Sequence, residues 1–385
     1  MYPHILELVW DAGPLNGAVL ANFPNLRRLD CSRCKLTTLK GIEFCPQLIK
    51  LDCKYNNIRT LTALASCPQL RVLDCKGNKI ASLTRFKGCP LLEDLDCSWN
   101  KLTSLAGLDN CPLLKSLCCN SNKLTSLAGI EACPLLETFK CTHMDLASMI
   151  ELEACPLIRK LNCMYNRLDT YDGISNRPQL ISLNIYRNNI QSLAGLGSCP
   201  SLLKLKCSLN QLTDMDGLDG CPAIVEIKCR MGLVANIKGL SVLKQLRILD
   251  CHHNMITSLE GLEGCPKLSK LVCSENLIST LEDLEGCHQL TILDCNHNKI
   301  TSLESLEHMS TLTVLHCSRN RLETLSGIEN CPRLKELCCS NNEIKMMGEL
   351  VELPKLQSIY YFHVPLKKQS RAVQKILDTV GTNSS

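Results

Sequence analysis

Apolar residues recur along this chain in two alternating rhythms. Within residues 92–112, Leu95 and Cys97 stand one polar residue apart, the two-residue period of a strand with one buried face. Farther on, Leu102, Leu105, Leu108 and Cys111 recur at every third residue, which fits a short 3-10 turn, and Pro112 stops any longer helix. The same order of positions returns after 22 residues. The pattern predicts one short parallel strand per repeat on one side and a compact turn on the other.

The period is marked most clearly by cysteine. Steps of 22 from Cys31 reach Cys53, Cys75, Cys97, Cys119, Cys141, Cys163, Ile185, Cys207, Cys229, Cys251, Cys273, Cys295, Cys317 and Cys339 without insertion or deletion. A second column begins at Cys45 and runs through Cys67, Cys89, Cys111, Cys133 and Cys155, with Arg177, Leu243, Met309 and Leu353 filling its gaps. Such a period implies stacked repeats, none of which buries its apolar face alone. It overrides the two or three globular domains that 385 residues would otherwise suggest.

The repeat LxxLxCxxNxLxxLxxLxxCPx resembles the leucine-rich repeat. Its strand half, LDCSxNxLTSL, is similar to cysteine-bearing internalin-like repeats. The 22-residue length and the GLExCP half resemble the short intracellular class that includes a regulator of protein phosphatase 1. LDCS and CP repeats are also similar to those of large DNA viruses of amoebae, which implies a viral source. The expected fold is an α/β repeat solenoid: a curved horseshoe with a concave parallel sheet and short convex 3-10 or irregular turns. About 15 to 16 repeats are expected over residues 24–363, with a capping segment at 1–23, a capping helix at 364–380 and a disordered tail at 381–385. On the expected helix, Ala372, Val373, Ile376, Leu377 and Val380 share one face.

An asparagine column, from Asn56 and Asn78 to Asn320 and Asn342, follows each strand. An amide there both donates to and accepts from backbone groups of neighbouring repeats. Cys34, Met144 and Gly232 stand in its place in three repeats.

The charge, 42 basic against 38 acidic residues, is too balanced for a general nucleic-acid or membrane binder. The N-terminus has no basic leader and no sustained apolar run, so a cytoplasmic protein is expected, in the host cytoplasm if viral, with its 28 cysteines reduced. There is no phosphate loop, dinucleotide fingerprint, HExxH or GxSxG motif, and neither enzymatic activity nor a cofactor is expected. Cys31 and Cys34 form a lone CxxC, short of the four ligands of a structural zinc site. Cys118 and Cys338 are turned toward solvent by the strand alternation and are the candidate reactive thiols.

The expected function is a non-catalytic scaffold, monomeric, that binds a protein partner through the concave sheet. The alternative is a regulatory or targeting subunit of an enzyme such as a phosphatase or ubiquitin ligase. One outward column runs Asp30, Asp52, Asp74, Asp96, Cys118, Lys140, Asn162, Asn184, Lys206, Lys228, Asp250, Val272, Asp294, His316 and Cys338. An acidic row thus gives way to a basic middle, joined by Arg187 and Arg230, that suits an acidic partner segment. Alternation also turns outward a column with Tyr55, Trp99, His143 and Tyr165, and Tyr186 beside it, from a chain with only 5 Phe, 2 Trp and 7 Tyr. Exposed aromatic and arginine side chains are frequent interface anchors. No metal site is expected; His253, Glu275 and His297, one column in successive repeats, are the residues that would furnish one.

Overall fold

A computed structural model describes residues 1–382 apart from Ala12, Arg85 and Lys87. Contacts divide the chain into two compact units, Met1–Asn188 and Asn189–Ser385. Each is a stack of repeats.

In the first unit the strands run from Glu7–Val9 and Arg28–Asp30 to Ser182–Asn184, each three residues long. Neighbours pair in parallel with a register shift of one repeat, as in Leu73↔Leu95 and Leu95↔Leu117. The register of the first strand differs by one, with Leu8 opposite Leu29. From Arg28–Asp30 onward each middle residue is buried because alternation points it between the sheet and the turns; Leu73, Leu95 and Leu117 are at most 1% exposed, whereas Leu8 of the first strand is half-buried. The second unit repeats this from Lys204–Lys206 to Ser358–Tyr360, with Leu249↔Leu271 and Leu293↔Leu315 in register.

The three-residue rhythm becomes 3-10 helix, as at Leu108–Asn110 and Ile328–Asn330, where the Cys111 and Cys331 amides donate to the carbonyls of Leu108 and Ile328. Gly107 opens one such turn at φ 110°, and a Cβ there would lie 2.2 Å from the carbonyl oxygen of Leu83 in the preceding repeat. Only glycine fits so close an approach.

The asparagines bind as their spacing predicts. Asn100 Nδ2 donates to the carbonyls of Cys75 (3.1 Å) and Cys97 (3.0 Å), and its Oδ1 accepts from the Ile80 amide at 2.9 Å. One buried amide thereby satisfies backbone groups of two repeats. Where Cys34 replaces asparagine, its thiol donates to the carbonyls of Trp10 (2.8 Å) and Ser32 (3.2 Å).

The two cysteine columns fill the core and also donate weakly. In the strand column, the thiols of Cys97 and Cys119 lie 3.5 Å from the carbonyls of Cys118 and Lys140 in the next repeat. In the turn column, the Cys89 thiol reaches back to Leu64 O at 3.5 Å and Cys67 O at 3.8 Å. Leucine would offer those carbonyls nothing. Burial pushes the Cys67 and Cys89 thiols up to about 12, and they stay protonated donors at neutral pH.

Arg177, in the turn column, occupies the cysteine position with a side chain nearly free of solvent. Its guanidinium donates to the carbonyls of Leu152 and Cys155, the two positions a thiol there would address, and also to Gly173.

At the N-terminal end, Asn16 Oδ1 accepts from the amides of Ala18 and Val19 and starts the helix Gly17–Leu20. At the other end the helix is Arg371–Val380; it packs on the 3-10 helix Gly348–Glu352 and buries Val373 and Leu377, while Ala372 stays exposed. Gly381–Thr382, assigned to the tail by the sequence reading, pair in parallel with Ile359 and Tyr360; the rest of that tail lies outside the described residues. No helix among the described residues is long and apolar enough to cross a membrane.

Candidate functional site

The strands are shorter than the alternation suggests, and this relocates the aromatic column. The strand Asp94–Asp96 ends three residues before Trp99. Trp99 lies in the turn beyond it, at φ 56°, in left-handed backbone. The same conformation returns in every repeat, at Arg33, Tyr55, Gly77, Trp99, Ser121, His143, Tyr165 and Arg187 in the first unit, and at Leu209, Met231, His253, Glu275, His297, Arg319, Asn341 and His363 in the second. Tyr55, Trp99, His143 and Tyr165 therefore project from the C-terminal edge of the sheet, set there by a turn and not by strand alternation.

This turn holds the column rigidly. The Trp99 amide donates to Asn120 O at 2.8 Å and the Tyr165 amide to Tyr186 O at 2.9 Å, while the following asparagine anchors the turn from beneath. Left-handed backbone is costly for residues other than glycine, most of all for β-branched ones. None of the sixteen positions is Val, Ile or Thr.

Two clusters form along this edge of the first unit. In one, the Arg33 guanidinium lies 4.8 Å from the Tyr55 ring centre, and the Lys76 ammonium lies between Tyr55 (5.9 Å) and Trp99 (5.7 Å). Gly77 leaves room for this: a Cβ there would stand 2.6 Å from Tyr55 Cδ1. Trp99 remains 58% exposed. In the other, His143 stacks on Tyr165 with centroids 4.1 Å apart, Tyr186 tilts against Tyr165 at 5.3 Å, and Arg187 lies 5.1 Å from the Tyr165 ring centre. Beside them Met144 stands where other repeats place asparagine, and a cleft of about 540 Å³ opens between Asn122, Leu124, His143, Asp145 and Tyr165.

The acidic row of the first unit has a structural use. Oδ1 of Asp30, Asp52, Asp74 and Asp96 accepts from the amide two residues on, at 2.9 to 3.2 Å. Asn162 and Asn184 make the same bond from the same column. At these six positions the side chain supplies an acceptor that closes the strand end, whether or not it is charged. Asp52 also pairs with Lys54. Burial, with the like charges of Asp52 and Asp96, holds the Asp74 carboxyl above its ordinary range.

In the second unit the basic residues are matched by acids. Lys206 and Lys228 are in register on adjacent strands, but Glu226 lies 3.2 Å from Lys228 and 3.4 Å from Lys204. Arg230 pairs with Asp250, whose side chain is only 4% exposed. Lys206 stands exposed beside these pairs.

Neither solvent-facing cysteine is an activated thiol. Cys118 is half-buried against Ser98 Oγ (3.0 Å) and Asn120 Nδ2 (3.2 Å), and burial pushes its thiol up. Burial, with Glu336 and Asp294 adding to it, pushes Cys338 up to about 12.

His253 Nδ1 meets Glu275 Oε2 at 2.7 Å, and His252 Nε2 lies 3.9 Å from Glu275 Oε1. Among the described residues, the group whose ligand atoms converge closely enough for one metal ion lies elsewhere, at His316, Glu336 and Cys338. His316 and Cys338 belong to a column legible in the sequence, but Glu336, two residues before Cys338 on the same strand, was not joined to them.

Comparison with known proteins agrees with this architecture. A model of leucine-rich repeats in two copies matches residues 24–66, 244–286 and 288–330. No curated protein matches the sequence. Among solved structures, a leucine-rich-repeat protein of Leptospira interrogans is similar at TM-score 0.77 and 22% identity over 96% of this chain and 91% of its own. The functional domain of InlJ from Listeria monocytogenes, described as including a cysteine ladder, is similar at TM-score 0.60 and 24% identity, over 90% of this chain and 75% of its own. The Toll–Spatzle complex of Drosophila is matched at TM-score 0.75 and 16% identity, over 95% of this chain and 54% of that one. With its repeat, asparagine ladder, parallel strands and 3-10 turns, the chain has the leucine-rich-repeat fold, and residues 24–66, 244–286 and 288–330 carry the family's repeat.

Proposed function

We propose that the protein is a non-catalytic, monomeric scaffold that binds a protein partner through its sheet face and the edge beside it. The contacts are Tyr55, Trp99, His143, Tyr165, Tyr186 and Arg187 in the first unit and Lys206, Lys228 and Arg230 in the second. The observation that carries this reading is the edge column itself, where exposed aromatic and cationic side chains are held on hydrogen-bonded left-handed turns. Contacts fixed before binding lose little entropy on association, and Trp, Tyr and Arg are the side chains that most often dominate interfaces. Structural neighbours include two seen with a bound partner, the Toll–Spatzle complex and the plant receptor RGFR1 with RGF2. Lys206 favours an acidic segment in the partner. The division into covering segment 1–23, repeats 24–363 and a covering helix within 364–380 is part of this reading, as is a reducing, cytoplasmic setting, which suits thiols that donate hydrogen bonds.

Capture from a cytosolic extract under reducing conditions tests it. The wild-type chain and a Glu153→Lys control on the turn side retain the same protein, and Trp99→Ala with Arg187→Glu loses it. Equal retention by the double variant overturns the placement of the surface.

A further inference from the structure

The second unit carries a group of side chains that the recognition surface does not use. Asp294, His316 and Cys338 follow one another across adjacent parallel strands, and Glu336 lies two residues before Cys338, on the same face. His316 Nε2 is 2.9 Å from Glu336 Oε1, and Cys338 Sγ is 4.0 Å from that same oxygen. The nitrogen, oxygen and sulfur donors all lie within 4.8 Å of one another, each on a half-buried side chain. We propose that His316, Glu336 and Cys338 form a zinc site.

A tetrahedral zinc ion with bonds of about 2.0–2.3 Å holds its ligands roughly 3.3–3.8 Å apart. Small side-chain rotations bring this trio to that spacing, because all three stand on strands whose backbone is fixed by pairing. The donor chemistry selects the metal: one imidazole, one carboxylate and one thiol suit zinc, whereas calcium and magnesium demand oxygen. On binding, the ion displaces the His316–Glu336 hydrogen bond, and the Cys338 thiol gives its proton to solvent as the sulfur–zinc bond forms. Three protein ligands leave a fourth position for water or for a donor from a partner. Asp294, in register with His316, contributes further negative charge beside Cys338. Cys118, the other half-buried cysteine of this column, has Ser98 and Asn120 beside it and one carboxylate, Asp96, in register, and among the described residues it belongs to no such group of three donors.

The test uses the full chain, reduced and stripped with a chelator, titrated with zinc against a chromophoric competitor and separately with cobalt(II). One zinc per chain is expected, with a sulfur-to-cobalt charge-transfer band in the cobalt form. Cys338→Ser removes that band, and His316→Gln weakens zinc binding by roughly tenfold or more. Cys118→Ser, and His253→Ala with His297→Ala, change neither. Circular dichroism confirms that each variant is folded, and Glu336→Gln supplies a third ligand variant should one of the others fail. Absence of zinc binding, or binding that survives Cys338→Ser and His316→Gln undiminished, overturns the site.

Discussion

His143 and Tyr165 lie face to face, 4.1 Å between ring centroids and inclined by 17°, because both occupy the same left-handed position in successive repeats. The turn thus determines which side chains meet along the sheet edge, and it restricts which residues those are. At Trp99, φ 56°, the strain is tested directly. Trp99→Gly relieves it, Trp99→Ala retains it and Trp99→Val adds the penalty of branching. Denaturant unfolding should rank the variants Gly, Ala, Val, with steps of about 1 kcal/mol. An alanine variant as stable as the glycine one would show that the turn is unstrained.

Arg177 is a buried cation whose guanidinium donates to the backbone carbonyls of Leu152, Cys155 and Gly173. Removing it with Arg177→Ala takes the side-chain donors from the Cys155 and Gly173 oxygens, while Leu152 O keeps the Cys155 amide, and a loss of about 3 kcal/mol is expected. Arg177→Cys restores a weak donor of the kind used at Cys89 and should lose less. Equal loss in the two variants would mean that the thiol hydrogen bonds of this column contribute nothing.

Much of this architecture is legible in the sequence, and the exceptions have physical causes. Strands, 3-10 turns and the asparagine ladder follow from periodicity, because burial and backbone hydrogen bonding recur with the period. The left-handed column was harder to read: Tyr55, Trp99, His143 and Arg187 share no chemistry, only a backbone angle. Its available signals were Gly77 and the lack of β-branched residues. The Asp30-to-Asp96 row resembled a charged patch, yet Asn162 and Asn184 in the same column point to a shared acceptor. The zinc candidate was divided because columns join residues one repeat apart, whereas Glu336 meets His316 on the diagonal.

The acceptor role makes a pH-dependent prediction at Asp74. Burial and the neighbouring carboxylates raise its pKa in the folded chain above the unfolded value. The folded state therefore holds this proton to higher pH, and stability falls as pH rises from the unfolded value, about 3.9, through the folded one. Asp74→Asn keeps an oxygen to accept from the Lys76 amide (3.1 Å) and removes the charge. Its melting temperature should exceed that of the wild type at pH 7, and the gain should vanish near pH 3. A gain that persists at pH 3 would assign the effect to something other than ionisation.

The pairing of Arg230 with Asp250 joins a half-exposed cation to a carboxylate only 4% exposed, and Asp250 Oδ1 has no hydrogen-bond partner among the described residues. Arg230→Ala strands that carboxylate, and because water reaches the vacated side of the pair, a loss of about 2 kcal/mol is expected. The next strand indicates the remedy: Val272, in register with Asp250, is apolar and half-buried, so the column accepts an apolar side chain beside this position. Asp250→Val combined with Arg230→Ala should recover most of the stability. A double variant as unstable as the sum of the two single ones would mean that the residues do not interact, and Arg230 would then be available in full to the partner proposed for this face.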